Sequence, residues 1–187
     1  MNLQEMKRKA LVMVEEYNPK SEYLTDDPDI AAKMNDIINQ RMFEMARFKK
    51  LPAYIEMDVK KGDIINYEVI EKAGQYVVYQ LGNITGVKHQ LKADGTVIKV
   101  LEDGVIEISY YKYPEAITDK TKDKSYEFEL PQDVLEILPY GIAGDLLKSD
   151  VSSNYGQIYA ETYENMKREL DPRYAMPSLY IEGGVRI

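Results

Sequence analysis

The chain has 187 residues, 44% hydrophobic and 30% charged, with a net charge of −8 and no cysteine. That length and composition suit one compact domain, or one domain with a sizeable insertion, and exclude a disordered chain. The missing cysteines exclude disulfide staples, thiolate catalysis and cysteine-ligated zinc. No apolar run approaches the roughly 20 residues of a membrane helix, and the opening residues 1–8 have no signal-peptide core.

Charge is unevenly placed. Residues 1–52 hold nine basic and nine acidic side chains, residues 53–130 ten against fourteen, and residues 131–187 five against nine. An acidic chain without a basic block is poorly suited to gripping nucleic acid, because phosphate contacts supply most of that affinity. It can still surround DNA without holding it, since like charges repel. Aromatic usage is lopsided, with sixteen Tyr, three Phe and no Trp. Tyrosine pairs an apolar ring with a polar tip, which suits a strand of a thin domain or a surface half buried against a partner.

Residues 2–17 predict a first helix, with Leu3, Met6, Ala10, Met13, Val14 and Tyr17 at three- and four-residue steps. Asn18-Pro19 is expected to end it, because the residue before a proline avoids helical angles. A second helix starts at Asp27, a cap for free N–H groups, followed by Pro28, which suits the first turn. Its stripe is Ile30, Met34, Ile37, Ile38, Met42, Met45 and Phe48, and Pro52 closes it.

From residue 53 to 130 the period switches to that of strands. Residues 54–59, 67–71 and 76–81 are strand candidates, and Gly62, Gly74 and Gly82-Asn83 supply turns. Asp94-Gly95 and Asp103-Gly104 carry the signature of tight hairpins. They bracket residues 96–101 and precede 105–111, where Ile106, Ile108 and Tyr110 share a face. The pattern predicts an antiparallel meander with one buried face, and residues 125–130 add a further strand.

Helical spacing returns after Pro131. Val134, Leu138, Ile142 and Leu146 share a face, and Pro139 inside the pattern must kink or split the helix. Gly141, Ala143 and Gly144 would let another backbone come close. Asp150, Ser152 or Ser153 can cap a last helix whose stripe is Tyr155, Ile158, Tyr159, Thr162, Tyr163, Met166 and Leu170. Asp171-Pro172 stops it. The fold class predicted is therefore α+β. Residues 1–52 and 131–171 form a helical bundle, residues 53–130 an inserted antiparallel sheet, and residues 172–187 an extended tail.

Catalysis has little to draw on. His89 is the only histidine and reads as an exposed strand residue. No serine sits in a nucleophile elbow, and no phosphate loop is present. Asp26-Asp27-Pro28-Asp29 lacks the ligand spacing of a calcium loop and reads as a helix cap. Glu127 and Glu129 alternate on a strand and read as a solvated face rather than a glycosidase pair. No catalytic, cofactor-binding or metal-binding residue is assigned, and no enzymatic activity is expected. Arg47, Lys49, Lys50, Lys60 and Lys61 form the one positive patch, read as a helix end and a turn or as a contact for an acidic partner or DNA backbone. Tyr155, Tyr159 and Tyr163 are read as bundle core or as subunit interface.

The order of segments between residues 110 and 170 carries a resemblance. Tyr110-Tyr111-Lys112-Tyr113-Pro114 is followed by Tyr126-Glu127-Phe128-Glu129-Leu130-Pro131, by Tyr140-Gly141-Ile142-Ala143-Gly144-Asp145-Leu146-Leu147, and by the three tyrosines of the last helix. Together with Asn35-Asp36-Ile37-Ile38-Asn39-Gln40 in the second helix, this resembles the head-to-tail adaptor (connector) proteins of tailed bacteriophages. The resemblance implies a non-enzymatic subunit of a homo-oligomeric, dodecameric ring in the virion neck, made in the host cytoplasm. Such a ring lies under the portal protein, extends the DNA channel without specific DNA binding, and offers a platform to tail or stopper proteins; no membrane is involved. It also implies a C-terminal segment that docks on the portal or on a neighbouring subunit, here through Tyr174, Met176, Leu179, Tyr180 and Ile181. The alternative is a carbohydrate- or protein-binding module with Tyr76, Tyr79, Tyr111 and Tyr113 as its platform. A third is a metal-assisted hydrolase using carboxylates.

Overall fold

The computed structural model describes residues 1–92, 95–148 and 154–171. They form a mixed α+β chain with five helices and two small antiparallel sheets. The chain divides into two compact units, Met1–Arg41 with Thr118–Ile187, and Met42–Ile117. The strand-bearing unit therefore spans 42–117, against the expected 53–130. The expected tail, 172–187, and the expected caps Asp150, Ser152 and Ser153 lie outside the described residues.

In the first unit, α1 (Leu3–Met13) opens with a capping box. Asn2 Oδ1 accepts from the Glu5 N–H at 2.9 Å, and Glu5 Oε2 accepts from the Asn2 N–H at 3.1 Å. Both bonds satisfy donors that a helix start otherwise leaves free. Leu3 and Gln4 donate to the carbonyls of Tyr126 and Asp123, each at 3.1 Å. Residues 125–130 serve that first turn and do not form the predicted strand; a single bridge joins Asn2 and Glu127. Their alternation is nevertheless real, with Phe128 and Leu130 buried and Glu127 and Glu129 exposed. The helix ends at Met13, before Asn18-Pro19. Glu15 turns left-handed at φ 62°, and the Glu16 N–H reaches back to the Leu11 carbonyl at 2.9 Å.

α2 (Pro28–Lys49) begins as predicted. Asp27 Oδ1 accepts from the N–H groups of Asp29 and Ile30 at 2.8 and 3.1 Å. The boundary between the units falls within this helix, after Arg41. α4 (Gln132–Leu146) packs against α1 and α5 (Tyr155–Glu169). Pro139 does not split it. The small residues of α4 receive α5 closely. A Cβ on Gly141 would lie 2.9 Å from the Tyr163 ring, and one on Gly144 would lie 3.0 Å from the Ala160 nitrogen. Tyr163 is fully buried. Arg41 donates from Nε and Nη2 to the two Asp145 oxygens at 2.6 and 2.8 Å, and its guanidinium lies 4.8 Å from the Tyr163 ring centre. The Tyr159 hydroxyl donates to the Met13 carbonyl at 2.8 Å.

The second unit holds β1 (Pro52–Val59), β2 (Ile64–Ile65), α3 (Tyr67–Gly74), β3 (Val78–Gly86), β4 (His89–Lys92), β5 (Val97–Val100) and β6 (Gly104–Lys112). The expected meander is absent. One sheet has the order β1-β6-β3 and the other β2-β5-β4. Asp103-Gly104 therefore joins strands of different sheets and makes no hairpin; the Asp103 carboxylate instead accepts from the Lys61 N–H at 2.6 Å. β4 and β5 pair antiparallel on either side of Gly95. Gly82-Asn83 is not a turn but part of β3, at a register shift between Leu81 and Ile84.

Residues 67–71 are helical, not extended. Asn66 caps α3 by accepting from the Val69 N–H at 3.1 Å, Ile70 is buried, and Gln75 closes the helix at φ 60°. The core gathers Val59, Ile65, Ile70, Val78, Ile98, Val100, Ile106, Ile108 and Tyr110. Among the described residues, no helix is long and apolar enough to cross a membrane.

The Gly141–Tyr163 contact makes a direct prediction. Gly141→Ala lowers unfolding free energy by about 1–3 kcal/mol through overpacking, measured as a lower guanidinium midpoint at unchanged slope. Glu136→Ala, at an exposed position of the same helix, stays within about 0.5 kcal/mol of the parent.

Candidate functional site

Tyrosines and cations converge in the 42–117 unit, where the C-terminal end of α2 meets the sheet. Successive residues of a strand point to opposite faces. Tyr110 and Lys112 of β6 accordingly face the core side, and Tyr111 and Tyr113 the other. Tyr79 of β3 joins the latter pair, with ring centres 6.2 Å from Tyr111 and 5.0 Å from Tyr113. Phe43 of α2 lies 5.1 Å from Tyr113, Arg47 lies over the Tyr113 ring at 5.2 Å, and Lys50 over Tyr111 at 5.8 Å. The Tyr79 hydroxyl donates to the Ala46 carbonyl at 3.1 Å. That carbonyl belongs to the last turn of α2, where regular helical donors run out, and it also accepts from the Leu51 N–H at 3.1 Å. The cluster thus fastens a helix end to a sheet, and its rings are half buried.

Tyr76 is not part of this cluster. It lies on the core side, where the nearly buried Lys112 ammonium sits 3.1 Å from its ring centre. The four tyrosines of the alternative platform are therefore split between two faces. Burial is the main cause that raises the Tyr79 hydroxyl above the ordinary tyrosine range; Tyr111 and Tyr113 add to the rise, and Arg47 opposes it. Tyr110 is raised in the same sense, chiefly by burial.

The five basic residues are not brought together. Arg47, Lys49 and Lys50 stand before β1, and Lys60 and Lys61 stand after it. Eight strand residues at about 3.3 Å each put roughly 25 Å between the groups. The Lys60 N–H donates to Asp63 at 2.8 Å and the Lys61 N–H to Asp103, so carboxylates sit against that second pair. His89 is half buried in β4, with Nδ1 3.0 Å from the Val87 carbonyl.

In the other unit, the three tyrosines of α5 have three different environments. Tyr163 is core, Tyr159 is half buried, and Tyr155 is 64% exposed. Ile158, one turn on, is 51% exposed. A groove of about 1260 Å³ runs between the loop before α2 and residues 118–125. Its charged groups are largely engaged: Lys7 bonds Asp123 at 2.9 Å, Asp26 accepts from Asn18, and Asp27 caps α2. Asn35 Oδ1 is buried there with no hydrogen-bond partner among the described residues. No group of three or more His, Asp or Glu among the described residues could hold a metal ion. Tyr174, Met176, Leu179, Tyr180 and Ile181 lie outside the described residues.

Phe43 was invisible as a cluster member, because it lies off the apolar stripe of α2 and its ring partners come from strands far along the chain. Nor does sequence spacing reveal that Tyr79 meets β6. Searches against protein-family models and against curated proteins find no match for this chain.

Tyr79→Phe tests the fastening role. Losing the hydroxyl leaves the Ala46 carbonyl without that donor and costs about 1 kcal/mol, read from denaturant unfolding. A phenol whose folded pKa is raised stabilises the fold below the unfolded pKa and loses that contribution as pH rises through the folded value. Thermal midpoints therefore fall as pH rises from about 10 through the higher folded value, and Tyr79→Phe falls less steeply than the parent.

Proposed function

We propose that this chain is a structural ring subunit of a tailed-bacteriophage neck. In this reading it assembles with copies of itself under a portal protein and presents a platform to tail or stopper proteins. It acts as a scaffold and not as an enzyme. DNA passes through the ring without specific binding, and the location is the virion neck. The dodecameric count and the portal as partner follow from the family resemblance.

The observation that carries the reading is the division of the chain. Residues 1–41 and 118–187 join in one unit, in which α1, α4 and α5 pack together. Residues 42–117 fold around a separate core. That is a helical frame with a β insertion, the organisation the helix and strand periods predict; the insertion is longer than the simplest adaptors carry. The exposed pair Tyr155 and Ile158 on α5 supports it further, since they are spaced to share one helical face. Their exposure suits contact with a neighbouring subunit. The acidic balance suits a conduit, because like charge keeps DNA from sticking to its wall.

Negative-stain electron microscopy of the purified full chain, over a concentration series, is expected to show closed rings. A strict monomer by mass measurement at the highest concentration overturns the reading. Ile158→Asp, at an exposed site, leaves folding within about 0.5 kcal/mol and lowers the ring fraction at a given concentration.

A further inference from the structure

β1 is an edge strand, and the ladder shows which of its groups are free. The Lys112 N–H donates to the Leu51 carbonyl at 3.0 Å, in the register that sets Pro52 opposite Tyr111. Residues 53, 55, 57 and 59 therefore spend their backbone groups on β6, as the Leu51 carbonyl does, because bonded and non-bonded pairs alternate in an antiparallel ladder. Tyr54, Glu56 and Asp58 turn theirs outward. Among the described residues no backbone bond reaches that edge. β1 carries no register shift against β6, so the edge is straight, whereas β3 on the opposite edge is interrupted. Ile55 and Met57 are only partly covered on the core side. A long, unprotected edge of this kind is a template for one more strand.

We propose that this edge is the docking site for residues 178–182 of a second copy of the chain. The inference rests on the ring reading, in which each subunit meets its two neighbours through different surfaces. Sixteen residues follow Asp171, and within them Ser178-Leu179-Tyr180-Ile181-Glu182 is an alternating run bounded by Pro177 and Gly183. Its length matches the free stretch 54–58.

One antiparallel register satisfies every position. Leu179 falls opposite Met57 and Ile181 opposite Ile55, which extends the apolar face. Ser178, Tyr180 and Glu182 fall opposite Asp58, Glu56 and Tyr54, and all six of those residues have an N–H to give. Pro177 falls opposite Val59, at a non-bonded pair where no N–H is required. Pairing β1 with its own copy is disfavoured, because Glu56 and Asp58 of two chains would lie beside one another. The donated segment carries a single charge, Glu182, which falls opposite Tyr54 and not opposite a carboxylate. The six residues 172–177 give it a reach of about 20 Å from Asp171.

The chain has no cysteine, so disulfide trapping reads this register cleanly. Full-length Met57→Cys and Leu179→Cys chains, tagged to differ in size, are mixed and oxidised with copper phenanthroline. The expected product is the mixed disulfide dimer. Replacing Met57→Cys by Glu56→Cys, on the opposite face, lowers the yield roughly tenfold. Adding Glu56→Pro to the Met57→Cys chain lowers it roughly fivefold, the effect of one lost backbone bond. A mixed dimer no more abundant than the Glu56→Cys control overturns the proposal. So does a doubly substituted chain that crosslinks only within itself. Microscopy of the unoxidised parent separates the two ideas: rings without the mixed disulfide refute strand donation alone, and the mixed disulfide without closed rings refutes the ring reading alone.

Discussion

Arg41 sits where three helices of one unit meet. Its guanidinium makes two bonds to Asp145 of α4 and lies over the ring of Tyr163 in α5, while its backbone belongs to α2. Both charged side chains are only 16% exposed. Removing one partner would strand a largely desolvated charge, at a cost on the order of 3 kcal/mol. The planar fork of arginine fits both tasks at once, which a lysine could not do. Other contacts hang on this point. Tyr163 can take its place only because Gly141 has no side chain, and α5 in turn reaches α1 through the Tyr159–Met13 bond.

The strand-bearing unit is organised by a different constraint, the central place of β6. That strand pairs on both edges, and its two faces do separate jobs. Ile106, Ile108 and Tyr110 fill the core, while Tyr111, with Tyr113 just beyond the strand end, meets Tyr79 and the end of α2. A shift of one residue would exchange these faces. The aromatic fastening of α2 and the apolar core are therefore two consequences of one register.

What could be read in the sequence follows the range of the interactions involved. The start of α2 was legible because Asp27 and Pro28 act within one turn. The faces of β6 were legible because alternation is local. α3 was missed because Tyr67-Glu68-Val69-Ile70 alternates like a strand. The decisive signal was the preceding Asn66, whose capping bond outweighs that alternation. The strand at residues 125–130 was expected from correct alternation, but the Tyr126 carbonyl turns to Leu3 of α1, more than a hundred residues earlier in the chain. Sheet order lay beyond reach for the same reason, since β1 and β6 are joined only by a long-range choice of partner. The five lysines and arginines looked like one patch because sequence proximity says nothing of an intervening eight-residue strand. The cluster of Phe43, Tyr79, Tyr111 and Tyr113 could be seen only once the strands were paired.

The pairing of β1 with β6 has a consequence for the newborn chain. β1 ends at Val59, but its partner strand β6 ends at Lys112. At bacterial and eukaryotic synthesis speeds, that gap corresponds to roughly 3–10 s of ribosome time. α1 waits longer still, because the carbonyls that complete its first turn come from Asp123 and Tyr126. Neither unit can close until most of the polypeptide has left the exit tunnel, so a nascent chain stalled near its midpoint would display sticky, unmatched strand and would depend on chaperones to stay out of aggregates.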